Sequence, residues 1–262
     1  MRKSIFLVVI TFLLLSLTGL AFAQPASTQR SPRWLIRPGL GFDYFSRTIS
    51  WDSNKTTYTS KMSSYFVTAG VEYDAFEKLT VAALFGYGST NGNGLVFRHL
   101  PFSVDYEAGG MGGFVLGAEL ATKKLLPLGE FEINAQAQFV YSVGSSKTFA
   151  LGDLGVQGSV TGKAKWAQYV VGPVVSYKGF DYFHPYFAVC FNYLSGNFKM
   201  DETVQDLTGS EDKTFKSKGY FHLAVGATYE FTDYFSLKGE GRLLPRTGGL
   251  DYGITAKAVF TF

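Results

Sequence analysis

The sequence has few cysteines and histidines and, after its amino terminus, no long apolar run. Its 262 residues include one cysteine, Cys190, and three histidines. A single cysteine can form no intramolecular disulfide and no cysteine-based metal site. Beyond residue 23 there is no unbroken apolar run of about 18 residues, the length that a membrane-spanning helix requires. These absences exclude a disulfide scaffold and helical membrane spans.

An excess of charge of one sign is also missing. The first 23 residues carry Arg2 and Lys3, so 24 − 2 = 22 basic residues face 21 acidic residues in the remainder. A protein that binds nucleic acid needs a basic face, and near neutrality gives no indication of one. We therefore expect no nucleic-acid partner.

The amino terminus has the features of an export signal. Arg2 and Lys3 precede an apolar segment that ends in Ala21-Phe22-Ala23 before Gln24, the arrangement of a secretory signal peptide with its small-residue cleavage site. The alternative, an uncleaved anchor, explains that site less well. We expect 1–23 to be a cleaved signal peptide, 24–32 a short periplasmic segment, and 33–262 the folded domain.

Alternation of apolar and polar residues dominates that domain. The stretch Phe131–Val143, FEINAQAQFVYSV, places large apolar side chains on one face and polar side chains such as Glu132 and Gln136 on the other. A period of two indicates a β-strand, because successive side chains leave opposite faces of the pleat. Ten such segments occur. Eight is the alternative count if the fourth or the ninth segment, of which the ninth is weaker, is misassigned.

The connections between these segments alternate in length. Those near 74–78, 178–183 and 232–234 are short, whereas 52–60, 89–104, 145–162 and 200–217 are long and polar. Short periplasmic turns and long extracellular loops are typical of outer-membrane barrels, and aromatic residues at both ends of the apolar stripes match the two girdles at the membrane interfaces. The pattern predicts an all-β fold: a closed antiparallel transmembrane β-barrel of ten strands.

The carboxyl terminus carries a resemblance to a known class. The last strand ends Ala258-Val-Phe-Thr-Phe262 and places Tyr252, Phe260 and Phe262 on one face. With the signal peptide and the alternating strands, this resembles a bacterial outer-membrane β-barrel protein, closest in style to the OmpA/OmpX-like small barrels. The resemblance implies a Gram-negative outer membrane with its lipids and lipopolysaccharide as partners. It also implies a barrel-assembly machinery that recognises Tyr252, Phe260 and Phe262.

Charged residues fall on the predicted inward face. In a narrow barrel such groups must pair, since an unpaired buried charge costs several kcal/mol. A structural belt of ion pairs is therefore favoured, and a ring that selects ions in a small channel is the alternative. The predicted belt consists of Arg37, Glu72, Glu119, Glu132, Glu230, Lys238, Glu240, Arg242 and Lys257.

Glycines on the same face bear on whether the lumen is open. Gly86, Gly113 and Gly226 remove side chains from the predicted interior, which leaves either a water path or room for large neighbours such as Trp166, Tyr186 and Tyr220. Barrels of about eight strands fill themselves, and ten strands lie just beyond that size. A filled lumen predicts a scaffold, and empty space at these glycines predicts a channel.

No catalytic constellation is apparent. His99 lies in a predicted loop without an adjacent acid, His184 precedes Pro185 at a turn, and inward His222 has Arg242 nearby where a base would want an acid. We expect no catalytic residues, metal or cofactor, and a structural or surface-interaction role with a possible extracellular ligand at the loops. The alternatives are a porin-like channel for small solutes and, less favoured, an outer-membrane protease or lipid hydrolase.

Overall fold

The computed structural model describes residues 36–53, 56–97, 104–150 and 158–262. The predicted signal peptide, the periplasmic segment, His99 and the tips of three extracellular connections lie outside these residues. Within them no helix is long and apolar enough to cross a membrane. The strands are β1 (Ile36–Ser53), β2 (Thr56–Phe76), β3 (Leu79–Phe97), β4 (Val104–Thr122), β5 (Leu126–Leu128), β6 (Phe131–Gly144), β7 (Lys147–Ala150), β8 (Gly158–Tyr177), β9 (Phe183–Val204), β10 (Leu207–Ser217), β11 (Phe221–Thr232), β12 (Phe235–Arg246) and β13 (Gly249–Phe260).

Ten of these strands form a closed antiparallel ring. The order around it is β1-β2-β3-β4-β6-β8-β9-β11-β12-β13, and β13 pairs back onto β1 from Gly39↔Val259 to Ser46↔Tyr252. Closure leaves no free strand edge in the part of the ring between the two ends of the β13–β1 pairing, as a sheet in lipid requires. The predicted barrel and its count of ten strands are therefore confirmed.

The ring changes on the extracellular side. β10 and β11 both pair antiparallel with β9: β10 pairs with its extracellular part and β11 with its periplasmic part. A bulge at 218–220 separates β10 from β11. The β12–β13 hairpin is short, and above its tip β10 pairs directly with β1 at Ile49↔Ser217 and Ser50↔Lys216. Two strands thus leave the ring above this level, and the barrel is narrower there.

The outward face of the lower half is apolar and bounded by aromatic rings. On β9, the segment from Phe183 to Phe191 is nine residues long, within the 9 to 11 that a tilted strand needs to cross the hydrocarbon layer. Ring contacts such as Phe131–Tyr177 (5.1 Å) form the periplasmic girdle, and Phe139–Tyr169 (5.0 Å) belongs to the extracellular girdle. This segment is the membrane-spanning part of the barrel.

Above the extracellular girdle the pattern reverses. On β9 the outward residues become Ser195, Asn197 and Lys199, while inward Leu194 and Phe198 are fully buried. The connections predicted as long polar loops are indeed long, but they consist mostly of these strand extensions. The reversal explains why they look polar in sequence: their apolar residues lie in the opposite phase and face the interior.

Candidate functional site

The barrel interior is the candidate site, and its periplasmic part contains a chain of ion pairs that crosses the bore. Lys257 on β13 donates to Glu72 on β2 (2.8 Å) and to Glu119 on β4 (2.7 Å), so it joins opposite walls. Arg37 pairs with Glu72 (3.3 Å) and makes two bonds to Asp74 (2.7 and 2.9 Å). The structure thus brings together four of the predicted belt residues through short charge-assisted contacts.

A second network lies on the wall formed by β9, β11, β12, β13 and β1. Arg242 donates to Asp43 (2.6 Å) and lies 3.5 Å from Glu240, whose other oxygen accepts the Tyr186 hydroxyl at 2.8 Å. The Lys238 ammonium lies 4.9 Å from the centre of the Tyr186 ring. Every charge in this network therefore faces a partner within the protein.

The remaining predicted belt residues lie nearer the periplasmic mouth. Glu132 accepts from the Lys124 amide (2.5 Å) and the Asn134 side chain (2.7 Å), beside an open recess of about 600 Å³. Glu230 lies 3.4 Å from His184. Glu132 and Glu230 are thus separate from the crossing chain. Lys123, which donates to Asp74 at 2.6 Å, joins that chain although the sequence pattern did not select either residue.

A buried polar layer lies above the ion pairs. Asn192 accepts from Arg47 (2.5 Å) and Gln168 (3.0 Å) and contacts His222 Nδ1 (3.0 Å) through its amide nitrogen. Arg47 also donates to the Gly219 carbonyl (2.8 Å) in the bulge between β10 and β11. His222 is therefore a packed interior residue in a hydrogen-bonded layer.

An apolar core occupies much of the interior above the extracellular girdle, where Lys213 and Glu211 also form an inward ion pair. The rings of Phe45 and Trp166 meet edge to face at 5.2 Å, and those of Phe198 and Phe215 lie 5.0 Å apart. All are almost fully buried, like the interior of a soluble protein. The buried members are Phe45, Ile49, Trp51, Met62, Phe66, Met111, Val115, Val140, Val160, Ala164, Trp166, Leu194, Phe198, Met200, Val204 and Phe215.

The inward glycines make room for large inward side chains or for the backbone of the adjacent strand. A Cβ at Gly226 would lie 2.4 Å from the Tyr186 ring, and one at Gly86 or Gly113 would clash with backbone atoms of the adjacent strand. Trp166 and Tyr186 point inward as predicted. The expectation for Tyr220 is wrong: it stacks on Phe191 outside the barrel (6.3 Å), because the bulge at 218–220 changes which residues face in.

The residues of the predicted assembly signal lie on the last strand and at its end. Tyr252 contacts Tyr44 in the extracellular girdle (5.9 Å), and Phe260 contacts Phe235 in the periplasmic girdle (5.3 Å). Phe262 follows the end of β13 and is 65% exposed. Tyr252 and Phe260 thus lie in the two girdles and Phe262 lies beyond them. Recognition of these residues by an assembly machinery stays a prediction.

Comparisons with known proteins bear on the fold. No family model matches the chain, and no curated protein matches it. Among solved structures, the outer membrane protease OmpT from Escherichia coli is 11% identical, with 90% of this chain and 99% of OmpT covered at a TM-score of 0.53. The translocator domain of the autotransporter NalP from Neisseria meningitidis is 10% identical, with 100% and 98% covered, at a TM-score of 0.48.

The closed ring, the apolar outer belt and the two girdles define an integral β-barrel protein of the bacterial outer membrane. The likeness to OmpT supports that fold and, at 11% identity, nothing finer. It gives no support to the more specific resemblance to OmpA/OmpX-like small barrels.

Proposed function

We propose that this protein is a closed, non-conducting barrel that anchors an extracellular β-surface in the outer membrane. The observation that carries this proposal is the apolar core above the girdle. Packed aromatic and aliphatic side chains occupy the bore above the girdle, so a solute entering from outside would meet them, and the inward Lys213 and Glu211 higher up are paired with each other. Its function would then lie in what the outer surface contacts.

The core is a poor path for ions. Trp166 is 1% exposed and contacts both Phe45 (5.2 Å) and Phe66 (6.0 Å), which lie on other strands of the ring. Hydrophobic constrictions close pores by excluding water even when they are wider than an ion. A core packed across the bore leaves still less space, which supports a filled lumen.

The charged part of the lumen also favours a structural role. Selectivity rings present charges to passing ions, whereas Lys257, Glu72 and Glu119 are bound to one another across the bore. Beside them lies a cavity of about 30 Å³, space for about two water molecules. These ion pairs hold the walls together and keep the inward charges compensated.

A non-catalytic role is part of the proposal. His222 is engaged with Asn192, and His184 with Glu230, in contacts that hold the rings in place. Neither forms a hydrogen bond to a serine or an ion pair with two carboxylates in the part of the chain that the structure describes. The fold shared with OmpT carries no activity to this chain.

Conductance in a planar bilayer tests the proposal. The mature chain is refolded, its closure is checked by heat-modifiable gel migration, and single-channel current is recorded. Silence is expected. Discrete, ion-selective steps from the verified barrel would contradict a filled lumen and would favour the porin-like channel.

A matched pair of variants shows that the assay can detect an opening. Phe45→Ala with Trp166→Ala removes two contacting inward rings, whereas Phe139→Ala with Tyr169→Ala removes two contacting rings from the lipid face. If the core is the barrier, only the inward pair raises the leak current. An equal response of both pairs would place the barrier elsewhere.

A further inference from the structure

The outward surface of β8, β9 and β10 carries an ordered pattern above the extracellular girdle. Tyr169 and Tyr193 are cross-strand partners in that girdle, with ring centres 6.5 Å apart. Strand pairing then defines successive outward rows above them, because every second residue faces out. The rows can be compared with the layers of the membrane surface.

The first two rows contain lysines and no acid. In the first row, Ala167 pairs with Ser195, which pairs with Lys216, and in the second Lys165 pairs with Asn197 and lies 5.6 Å above the Tyr141 ring. The third row places Lys163 directly opposite Lys199. Like charges at such positions destabilise a sheet unless an anion lies between or beside them.

Acidic residues of this surface lie higher or are already engaged. Asp212, next to Lys199 in the third row, accepts two bonds from Asn197 (2.9 and 3.1 Å). Asp201, in the fourth row, accepts from the Ser210 hydroxyl (2.5 Å) and pairs with Lys199 (3.4 Å). The Ser210 hydroxyl holds the pKa of Asp201 below its ordinary value, so that carboxylate stays charged. Among the described residues, Lys163, Lys165 and Lys216 have no carboxylate partner.

The lowest of these lysines, Lys216, lies at the height of the polar layer of the outer leaflet, and the other two lie above it. Two residues advance a strand by about 6.7 Å, or about 5 Å along the membrane normal at a tilt near 45°. The first three rows therefore lie about 5, 10 and 15 Å above the tyrosines. The headgroup region on each side of a bilayer is about 5 to 7 Å thick, and long lysine side chains reach several ångströms further.

We propose that Lys216, Lys165 and Lys163 form a binding surface for the phosphate groups of an anionic glycolipid in the outer leaflet. Lys216 supplies positive charge at the height of those phosphates, Lys165 and Lys163 extend that charge above them, and the tyrosines beneath contact the apolar part of the same lipid. Lys199 adds to the upper edge of the surface, where Asp201 and Asp212 limit its charge. The surface depends on the membrane orientation of the barrel and is independent of whether the lumen conducts.

Lipid binding to the purified full-length mature barrel tests this. The barrel in neutral detergent is titrated with lipopolysaccharide and with the same lipid after removal of its phosphates, and bound lipid is counted by native mass spectrometry. The variant Lys163→Gln/Lys165→Gln/Lys216→Gln is compared with Lys78→Gln/Lys124→Gln/Lys178→Gln, which removes three lysines from the periplasmic end. We expect the first variant to bind phosphorylated lipid about a hundredfold more weakly and the second to behave like the unmodified barrel.

Three outcomes would overturn the proposal. Equal binding by both variants would show that these lysines are not the site. Equal binding of lipid with and without phosphate would show that sugars or acyl chains are recognised instead. Full displacement of the lipid by millimolar inorganic phosphate would indicate a site for free phosphate. Bilayer silence of the lysine variant is expected in every case, so failure here is distinct from failure of the closed-barrel proposal.

Discussion

The two halves of the same strands obey opposite rules. Below the extracellular girdle β9 places Phe187 and Phe191 outward and Tyr186 inward among ion pairs, as a membrane barrel does. Above it the strand places Lys199 outward and Phe198 inward, as a soluble barrel does. The solvent outside each half dictates its outer face, and the strand period of two then fixes the inner face. One continuous sheet thus serves two environments.

The largest expected effect comes from emptying the upper core. Phe198 is completely buried against Phe215, so Phe198→Ala should lower the free energy of unfolding by about 3 to 5 kcal/mol through lost burial and a cavity. Urea unfolding followed by heat-modifiable gel migration measures this. The neighbouring outward Ser195→Ala should change stability by less than about 0.5 kcal/mol. Similar losses in both would contradict a soluble-like core above the membrane.

The second-largest expected effect comes from a charge on the outer face, which should destabilise the lower half of the barrel and leave the upper half almost unchanged. Phe187→Arg puts a cation in lipid midway between the two girdles and should cost about 2 to 4 kcal/mol, whereas Phe139→Arg, in the extracellular girdle, should cost about 0 to 1 kcal/mol. Ser195→Arg, also outward but above the girdle, should be within about 0.5 kcal/mol of neutral. Inward Gln136→Arg should be milder than Phe187→Arg. Equal costs at Phe187 and Gln136 would mean that the inner and outer faces are assigned the wrong way round.

The ion pairs of the lower half should give a smaller effect. Lys257→Met leaves Glu72 and Glu119 without their shared cation, which should cost about 1 to 3 kcal/mol because both carboxylates are only partly hydrated. A double-mutant cycle with Glu119→Gln isolates the pair. A coupling energy near zero would mean that the contact across the bore contributes nothing to stability.

The sequence predicts the membrane-spanning half of the barrel. The prediction fails above the extracellular girdle, where the apolar residues of each strand change from the outward to the inward face. The apolar stripes give the ten strands and their lipid faces, as Phe131–Val143 shows. The adjacent apolar pairs Tyr44-Phe45, Tyr65-Phe66 and Tyr193-Leu194 mark the switch of phase. They interrupt the alternation, so the strands above them read as loops. A search for a second alternation in the opposite phase would have found the upper barrel.

Parts of the interior could not be predicted because they depend on contacts across the bore. The sequence places Asp74 in a predicted turn. Its carboxylate reaches Arg37 only because the strand register pairs Arg37 with Glu72, two residues before Asp74. The bulge that moves Tyr220 to the outside arises because the chain between β10 and β11 has one more residue than the part of β9 that it faces. No local sequence pattern predicts this bulge. Pairing of distant strands decides both features.

The smallest effect on stability is expected at the carboxyl terminus, where assembly and final stability can be separated. Phe262 is 65% exposed beyond the last strand, so Phe262→Ala should change the unfolding free energy of the refolded barrel by less than about 0.5 kcal/mol. If Phe260 and Phe262 act as a recognition signal, Phe260→Ala with Phe262→Ala should nevertheless reduce the amount of folded barrel in the outer membrane of expressing cells. An unchanged amount would count against recognition by an assembly machinery. A large loss of stability in vitro would instead assign these rings to the periplasmic girdle, where Phe260 meets Phe235.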